Sequence, residues 1–331
     1  MFLINKSLSV IIIFLFGFAG GLSAFYIFYQ NHPPKIQEQN QETTREIRQG
    51  GYQFINPLLE CESDSGLESK NLQNFKSQVQ KIVDQKLRDK IASHISVYFR
   101  DLNNGPWFGI KEDENFDPAS LLKVPVMITY LKEAENDPAI LEKKLIFTPE
   151  GNNLPKSSDG GDPLVPGKSY TVLELIERMI VFSDNDAFYL LTFNMDYEKV
   201  KKVHADLGLI LPEENTPENF ISVKAYASLF RVLYNASYLN RQMSEQALSI
   251  LSMAVFKDGL LAGLPADTRA SHKYGIREQG SQIKQLHDCG VIYRPQHPYL
   301  LCVMTRGENV DKLASIIRDI SGVVYQQINN N

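Results

Sequence analysis

Hydrophobic and polar positions change period several times along the chain, and each change marks an element. Leu8 to Tyr29 (LSVIIIFLFGFAGGLSAFYIFY) is apolar and carries no charge. A run of that length crosses a hydrocarbon core as a helix, so residues 1–30 are expected to be a transmembrane anchor. Residues 31–50 are polar and rich in Gln and Glu, a composition that builds no core of its own. Tyr52 to Leu59 is apolar again, so 31–58 reads as a polar tether with a segment that docks on the body. From Asn71 to Lys86, Leu72, Phe75, Val79, Ile82 and Val83 recur with helical spacing. The period then falls to two. Ile95, Val97 and Phe99 alternate with Ser96, Tyr98 and Arg100, as in a half-buried strand. Asn103-Asn104-Gly105 is a turn signal, and Trp107 to Ile110 is the returning strand.

The middle of the chain is helical in pattern. Ser120 to Ala134 is one expected helix. Thr171 and Glu174 have capping-box spacing ahead of an apolar stripe at Leu173, Ile176 and Ile180. Asp186–Phe193 and Tyr197–Leu207 are two more helices. Ser222 can cap a helix carrying Tyr226, Leu229 and Leu233, and Ser244 one carrying Leu248 and Leu251. The end is sheet-like and then helical. His272–Ile276, Cys289–Tyr293 and Tyr299–Met304 read as strands, the last two as a hairpin through Arg294 to Pro298. Asn309 can cap a final helix with Leu313, Ile316, Ile317 and Ile320 on its apolar face. A lone hairpin is marginal, so strands from both ends of the body must share one sheet, and the helical middle is an insertion. The body is assigned to 59–325 and a polar tail to 326–331.

Composition narrows the function. The chain has 331 residues, 43% hydrophobic and 22% charged, with a formal net charge of -5. Such a balance gives no bulk electrostatic reason to bind nucleic acid. The three Cys residues are too few for a disulfide scaffold or a Cys₄ zinc site, and the six His residues form no HExxH. No metal and no cofactor are expected. Cys289 and Cys302 fall near opposite hairpin positions and are expected as two separate core thiols, with a disulfide as the alternative that an exported location would permit. Cys61 has no expected partner. Lys6 ahead of the apolar run favours a cytoplasmic N-terminus, hence a single-pass protein of the cell membrane with its body on the extracytoplasmic side and the lipid bilayer as a partner through residues 8–29. A cleaved signal peptide competes, because Ala19, Gly20 and Gly21 are small, but the apolar run continues well past them.

Three short motifs carry chemistry. Ser120-Leu-Leu-Lys123 puts a hydroxyl and an amine on one face of a helix start, where free N–H groups favour developing negative charge. A serine hydroxyl needs a base, and a lysine of lowered pKa can serve. Ser183-Asp184-Asn185 is a polar turn between helices, and His272-Lys273-Tyr274-Gly275 lies on an edge-like strand. Singly these are a surface helix start, a helix cap and a solvated strand end. Together, in this order, they resemble the S-x-x-K, S-D-N and K-T-G set of the serine β-lactamases and penicillin-binding proteins. The resemblance is to class A β-lactamases and covers roughly residues 71–325. It extends to Ala262–Gly275 before the third motif and to Tyr170–Asn185 before the second.

The resemblance implies an α/β (α+β type) fold, an antiparallel sheet flanked by helices plus an all-helical lobe, with the site between them. It implies Ser120 as the acylated nucleophile, Lys123 as its base and Ser183 as the proton relay to the leaving nitrogen. Asn185 would hold the substrate amide, Lys273 would attract a substrate carboxylate, and the N–H groups of Ser120 and Ile276 would form the oxyanion hole. The implied partner is a β-lactam or a peptidoglycan-type peptide.

Two departures stand out. Class A enzymes carry a Glu, in an E-x-x-x-N arrangement, that serves deacylation. The corresponding segment, 207–222, looks shorter, and none of Glu213, Glu214 and Glu218 has an Asn four residues later. Tyr274 replaces the family Thr or Ser. It is assigned to the substrate-binding set as a residue that either faces away or reshapes the groove. The expected function is a membrane-anchored serine acyl hydrolase with slow β-lactam turnover. The alternatives are a peptidoglycan D,D-peptidase or transpeptidase and a non-enzymatic cell-wall-binding protein on the same fold.

Overall fold

The computed structural model describes residues 46–61, 72–103, 105–149, 151–152, 159–278 and 282–329. These belong to a compact unit, 44–331. The expected anchor over 8–29 lies outside the described residues. Among the described residues no helix is long and apolar enough to cross a membrane.

A short hairpin, β1 (Glu46–Arg48) with β2 (Leu58–Cys61), leads the unit. Its connecting segment is held on the helical lobe by Glu245, whose carboxylate accepts the N–H groups of Gln53, Phe54 and Ile55 at 2.9–3.2 Å. Helix α1 (Gln73–Arg88) follows and buries Phe75, Val79 and Val83. The central sheet is built from β3 (His94–Asp101), β4 (Trp107–Ile110), β9 (Ala270–Arg277), β10 (Lys284–Ile292) and β11 (Tyr299–Gly307). Its order is β4-β3-β11-β10-β9, with every pair antiparallel. Strands from both ends of the body therefore meet in one sheet, as the marginal stability of a lone hairpin requires. The chain closes with α8 (Val310–Asn329), whose first turn is capped by Asn309. It extends into the polar C-terminal segment.

Two apolar layers flank the sheet. On one face Ile95, Val97, Phe99, Leu301 and Val303 pack with α1 and α8. On the other, Leu300, Cys302, Cys289 and Met304 pack against the helical lobe. The lobe comprises α2 (Lys123–Ala134), α3 (Val172–Val181), α4 (Asn185–Phe193), α5 (Tyr197–Asp206), α6 (Val223–Tyr234) and α7 (Arg241–Ser252). Short pairs, β5 (Asn115–Phe116) with β8 (Ile221–Ser222) and β6 (Lys144–Ile146) with β7 (Ser169–Thr171), tie its loops.

Local chemistry explains most of the element starts. Thr171 and Glu174 form a reciprocal capping box on α3, and Ser222 Oγ accepts the Ala225 N–H on α6. Helix α7 differs from expectation. It is capped by Asn240, which accepts the Met243 N–H at 2.9 Å, and Ser244 lies inside, bonded to the Leu239 carbonyl. An Asn in extended conformation competes well for an N-cap, so the helix starts a turn earlier. The expected helix from Ser120 is two pieces, a 3₁₀ turn Ala119–Leu122 running into α2. Cys289 and Cys302 are not separate thiols: they are direct register partners, with Cα atoms 4.0 Å apart, which lets them join as a disulfide.

Candidate active site

The site is assembled from three places in the chain. The 3₁₀ turn places half-buried Ser120 one residue after Ala119, whose φ is +45°, and delivers Lys123 at the first position of α2. Pro125 is tolerated in that first turn because its missing N–H would have had no helical partner. Tyr226 Oη, fully inside the lobe, donates to the Leu121 carbonyl at 3.1 Å and pins the turn from α6. Strand β9 crosses in front of it. A Cβ on Gly275 would lie 2.8 Å from the Pro118 carbonyl oxygen and 3.1 Å from Leu121 Cγ. Only a residue without a side chain allows the strand that close.

The second motif sits at the α3–α4 junction. Asp184 is buried, and its Oδ1 caps α4 through the N–H groups of Asp186 and Ala187. Its Oδ2 pairs with Arg178, 3.0 Å from Nη2 and 3.1 Å from Nε. This leaves Ser183 in the left-handed region, φ +54°, with its side chain turned toward the lysines.

Lys123, 2% exposed, donates to the Ser183 carbonyl at 2.5 Å, to Ser183 Oγ at 3.1 Å and to Asn185 Oδ1 at 2.6 Å. Lys273, 0% exposed, donates to the same Ser183 Oγ at 3.0 Å. Ser183 thus accepts from two amines and keeps its own proton to donate. Burial lowers the Lys123 pKa to about 7, against the opposing pull of Asp184 and Asp159. Lys273 is also held well below the ordinary lysine value, first by burial and then by the Lys123 charge, with Asp159 and Asp288 acting the other way. Two buried amines around one hydroxyl form a site able to take up and pass on a proton near neutral pH.

The sequence-assigned residues are thus distributed unequally. Lys123, Ser183, Asn185 and Lys273 share one hydrogen-bonded cluster. Ser120 lies on the turn that leads into Lys123, and half-buried Ile276 follows Gly275 on the adjacent strand. Tyr274 is buried in the layer beneath the sheet, its ring stacked on Phe256 with centroids 4.0 Å apart and Lys273 Nζ 4.3 Å from its centroid. Glu213, Glu214 and Glu218 are exposed, and Glu218 is paired with Arg277. Among the described residues no carboxylate lies within hydrogen-bonding distance of Lys123 Nζ, and no group of His, Cys, Asp and Glu could hold a metal ion.

Sequence reasoning missed Asp159, whose charge reaches both lysines and whose N–H donates to the Phe182 carbonyl at 2.8 Å. It also missed Asp117 and Arg277, which flank Ser120 and Ile276. The Asp-Pro pair at 117–118 is a turn signal that could have drawn attention to Asp117.

The profile of the beta-lactamase enzyme family matches residues 74–328, most of the chain. The chain belongs to the beta-lactamase enzyme family. Solved structures agree with that membership. The structure of PBP-A is 24% identical, with a TM-score of 0.68, and the match covers 78% of this chain and 97% of that one. A mutant of PBP-A, solved as an acyl-enzyme complex with penicillin G, is 25% identical over 78% and 98% of the two chains, with a TM-score of 0.67. A β-lactamase from Sphaerobacter thermophilus is 20% identical over 77% and 98%, with a TM-score of 0.67. Comparison with curated proteins gives no match. The β-lactamase-family fold is therefore established for this chain, and with it membership of a serine hydrolase family.

Proposed function

We propose that the protein is a serine acyl hydrolase acylated on Ser120 by β-lactams or D-alanyl-type amides. The observation that carries this reading is the pair of buried lysines converging on Ser183 Oγ beside the Ser120 turn. Neutral Lys123 takes the Ser120 hydroxyl proton as Oγ bonds the substrate carbonyl carbon. The carbonyl oxygen becomes an oxyanion facing the Ser120 and Ile276 N–H groups, where such donors are worth most. Collapse breaks the C–N bond, and Ser183 gives its proton to the leaving nitrogen and is reprotonated from Lys123. Lys273 attracts the substrate carboxylate, and Asn185 holds the amide. The PBP-A structure with bound penicillin G, at similar identity, supports a penicillin as a probe of this chemistry.

Hydrolysis of the ester needs a placed and activated water. Glu213, Glu214 and Glu218 are exposed, and Glu218 is engaged by Arg277, which favours slow release of a penicilloyl group. The same feature favours a D,D-peptidase acting on D-alanyl peptides as the second reading. The apolar run Leu8–Tyr29 and Lys6 support a single-pass anchor that places the body outside the cytoplasm, where such peptides occur. The test follows adduct formation and adduct loss by intact-mass measurement with penicillin G. Formation faster than loss, with an accumulating adduct, is expected. Many rapid turnovers without an adduct would contradict slow deacylation.

A further inference from the structure

Asp117, three residues ahead of Ser120, holds two different elements with its two carboxylate oxygens. Oδ1 accepts the Ala119 N–H at 2.8 Å, and Oδ2 lies 3.3 Å from Arg277 Nη1. Arg277 ends β9, one residue after Ile276, and its Nη2 pairs with Glu218 Oε1 at 2.8 Å in the 207–222 loop. A guanidinium can serve both carboxylates because its donors are set in a rigid fork, which an ammonium lacks. The Asp117 backbone is fixed as well. Its N–H donates to Gln285 Oε1 at 3.1 Å, and its carbonyl accepts from His287 Nε2 at 2.9 Å, both on β10. His287 is in the tautomer this needs, since its Nδ1 accepts the Thr305 N–H. The Gln285 amide nitrogen in turn donates to Asn219 of the loop at 2.9 Å.

These contacts hold features that are unfavourable by themselves. Ala119 sits in the left-handed region, where a Cβ crowds the following carbonyl. Asp117 is buried, and desolvation pushes its carboxyl up against the opposing effects of the Ala119 N–H and Arg277. Strained or desolvated groups persist where their surroundings over-determine them.

We infer that the Asp117–Arg277 ion pair is a positioning device that sets the gap between the Ser120 turn and β9, with Glu218 extending the link to the 207–222 loop. The inference rests on the acylation reading in one respect: the Ser120 and Ile276 N–H groups are that reading's oxyanion donors. The ion pair joins them from outside, since Ala119, held by Asp117, precedes Ser120 and Arg277 follows Ile276. At Gly275 the strand already runs so near the turn that an added Cβ would meet the Pro118 carbonyl oxygen at 2.8 Å, and the pair closes the open end of that same approach. Oxyanion donors act on charge that develops in the transition state, so loosening the gap slows acylation more than it weakens first binding.

The test is a set of four variants: Asp117→Asn, Arg277→Ala, Arg277→Lys and the double variant Asp117→Asn/Arg277→Ala. Asp117→Asn keeps an oxygen for the Ala119 N–H while removing the charge that faces Arg277. Acylation by a fluorescent penicillin is expected to slow about 10–100-fold in Asp117→Asn and Arg277→Ala, with the affinity of the initial complex little changed. The double variant is expected to lose no more than the worse single one, because one interaction is removed in each. Arg277→Lys is expected to recover part of the rate, and it replaces Arg277→Ala in the series if that variant does not fold. Rates within about twofold of the parent in folded variants, or losses that multiply in the double variant, would overturn the inference. Amide exchange at Ser120 and Ile276 without substrate separates it from the acylation reading. Faster exchange in the variants supports the ion-pair role even if penicillin never acylates the parent, and unchanged exchange overturns it.

Discussion

Lys123 is an amine with all its hydrogen bonds made and its charge poorly solvated. Burial brings its pKa from a lysine's usual 10.5 to about 7. Acylation should therefore rise with pH as Lys123 loses its proton, with a midpoint near 7, and Lys123→Ala should slow it by about 10²–10⁴-fold. A pH–rate profile of adduct formation checks both; a flat profile between about pH 5 and 9 would contradict the assignment of the base. The same shift affects stability. Between about pH 7 and 10.5 the unfolded chain holds a proton that the folded site releases, so this group's contribution makes the fold more stable as pH rises through that window. At this scale the sequence is informative where spacing encodes chemistry. The grouping of Lys123, Ser183 and Lys273 beside the Ser120 turn was readable because these residues sit in short motifs. The pairing of Asp117 with Arg277 was not, because an ion pair between a turn and a distant strand end leaves no local pattern, even though Asp117-Pro118 is itself a turn signal.

At the scale of elements, the approach of β9 to the 3₁₀ turn depends on Gly275. The atom that a new Cβ would meet first is a backbone carbonyl, that of Pro118, which cannot swing aside as a side chain does. Gly275→Ala is expected to push the strand from the turn and slow acylation about tenfold or more, since small misplacements at a reacting centre are costly. Parent-like rates of adduct formation would show that the turn or strand yields without harm. Helix starts marked by Thr171, Ser222 and Asn309 were legible, because a side-chain oxygen three residues before a free N–H is a local signal. The start of α7 differs because Asn240 and Ser244 are both N-cap residues by type, and it is Asn240 whose side chain accepts the free N–H of Met243. The 3₁₀ turn before α2 was also invisible, since the left-handed Ala119 is imposed by Asp117 and not by its own preference.

For the whole molecule, alternation at the two ends and helical periods between them were enough to foresee a sheet with an inserted lobe. The strand order and the exact partner of each cysteine depend on register, which period alone does not fix. The Cys289–Cys302 disulfide, which closes the β10–β11 hairpin in the core, should add about 3 kcal/mol to unfolding by the loop-entropy estimate. Denaturant titration with and without a reductant measures it, and equal midpoints under verified reduction would contradict it. Acylation of this β-lactamase-family body on Ser120 is tested most directly by peptide mapping of the protein after exposure to penicillin G. The expected result is one penicilloyl group on the peptide carrying Ser120 and none in folded Ser120→Ala. An adduct on another residue, or equal labelling of Ser120→Ala, would contradict it.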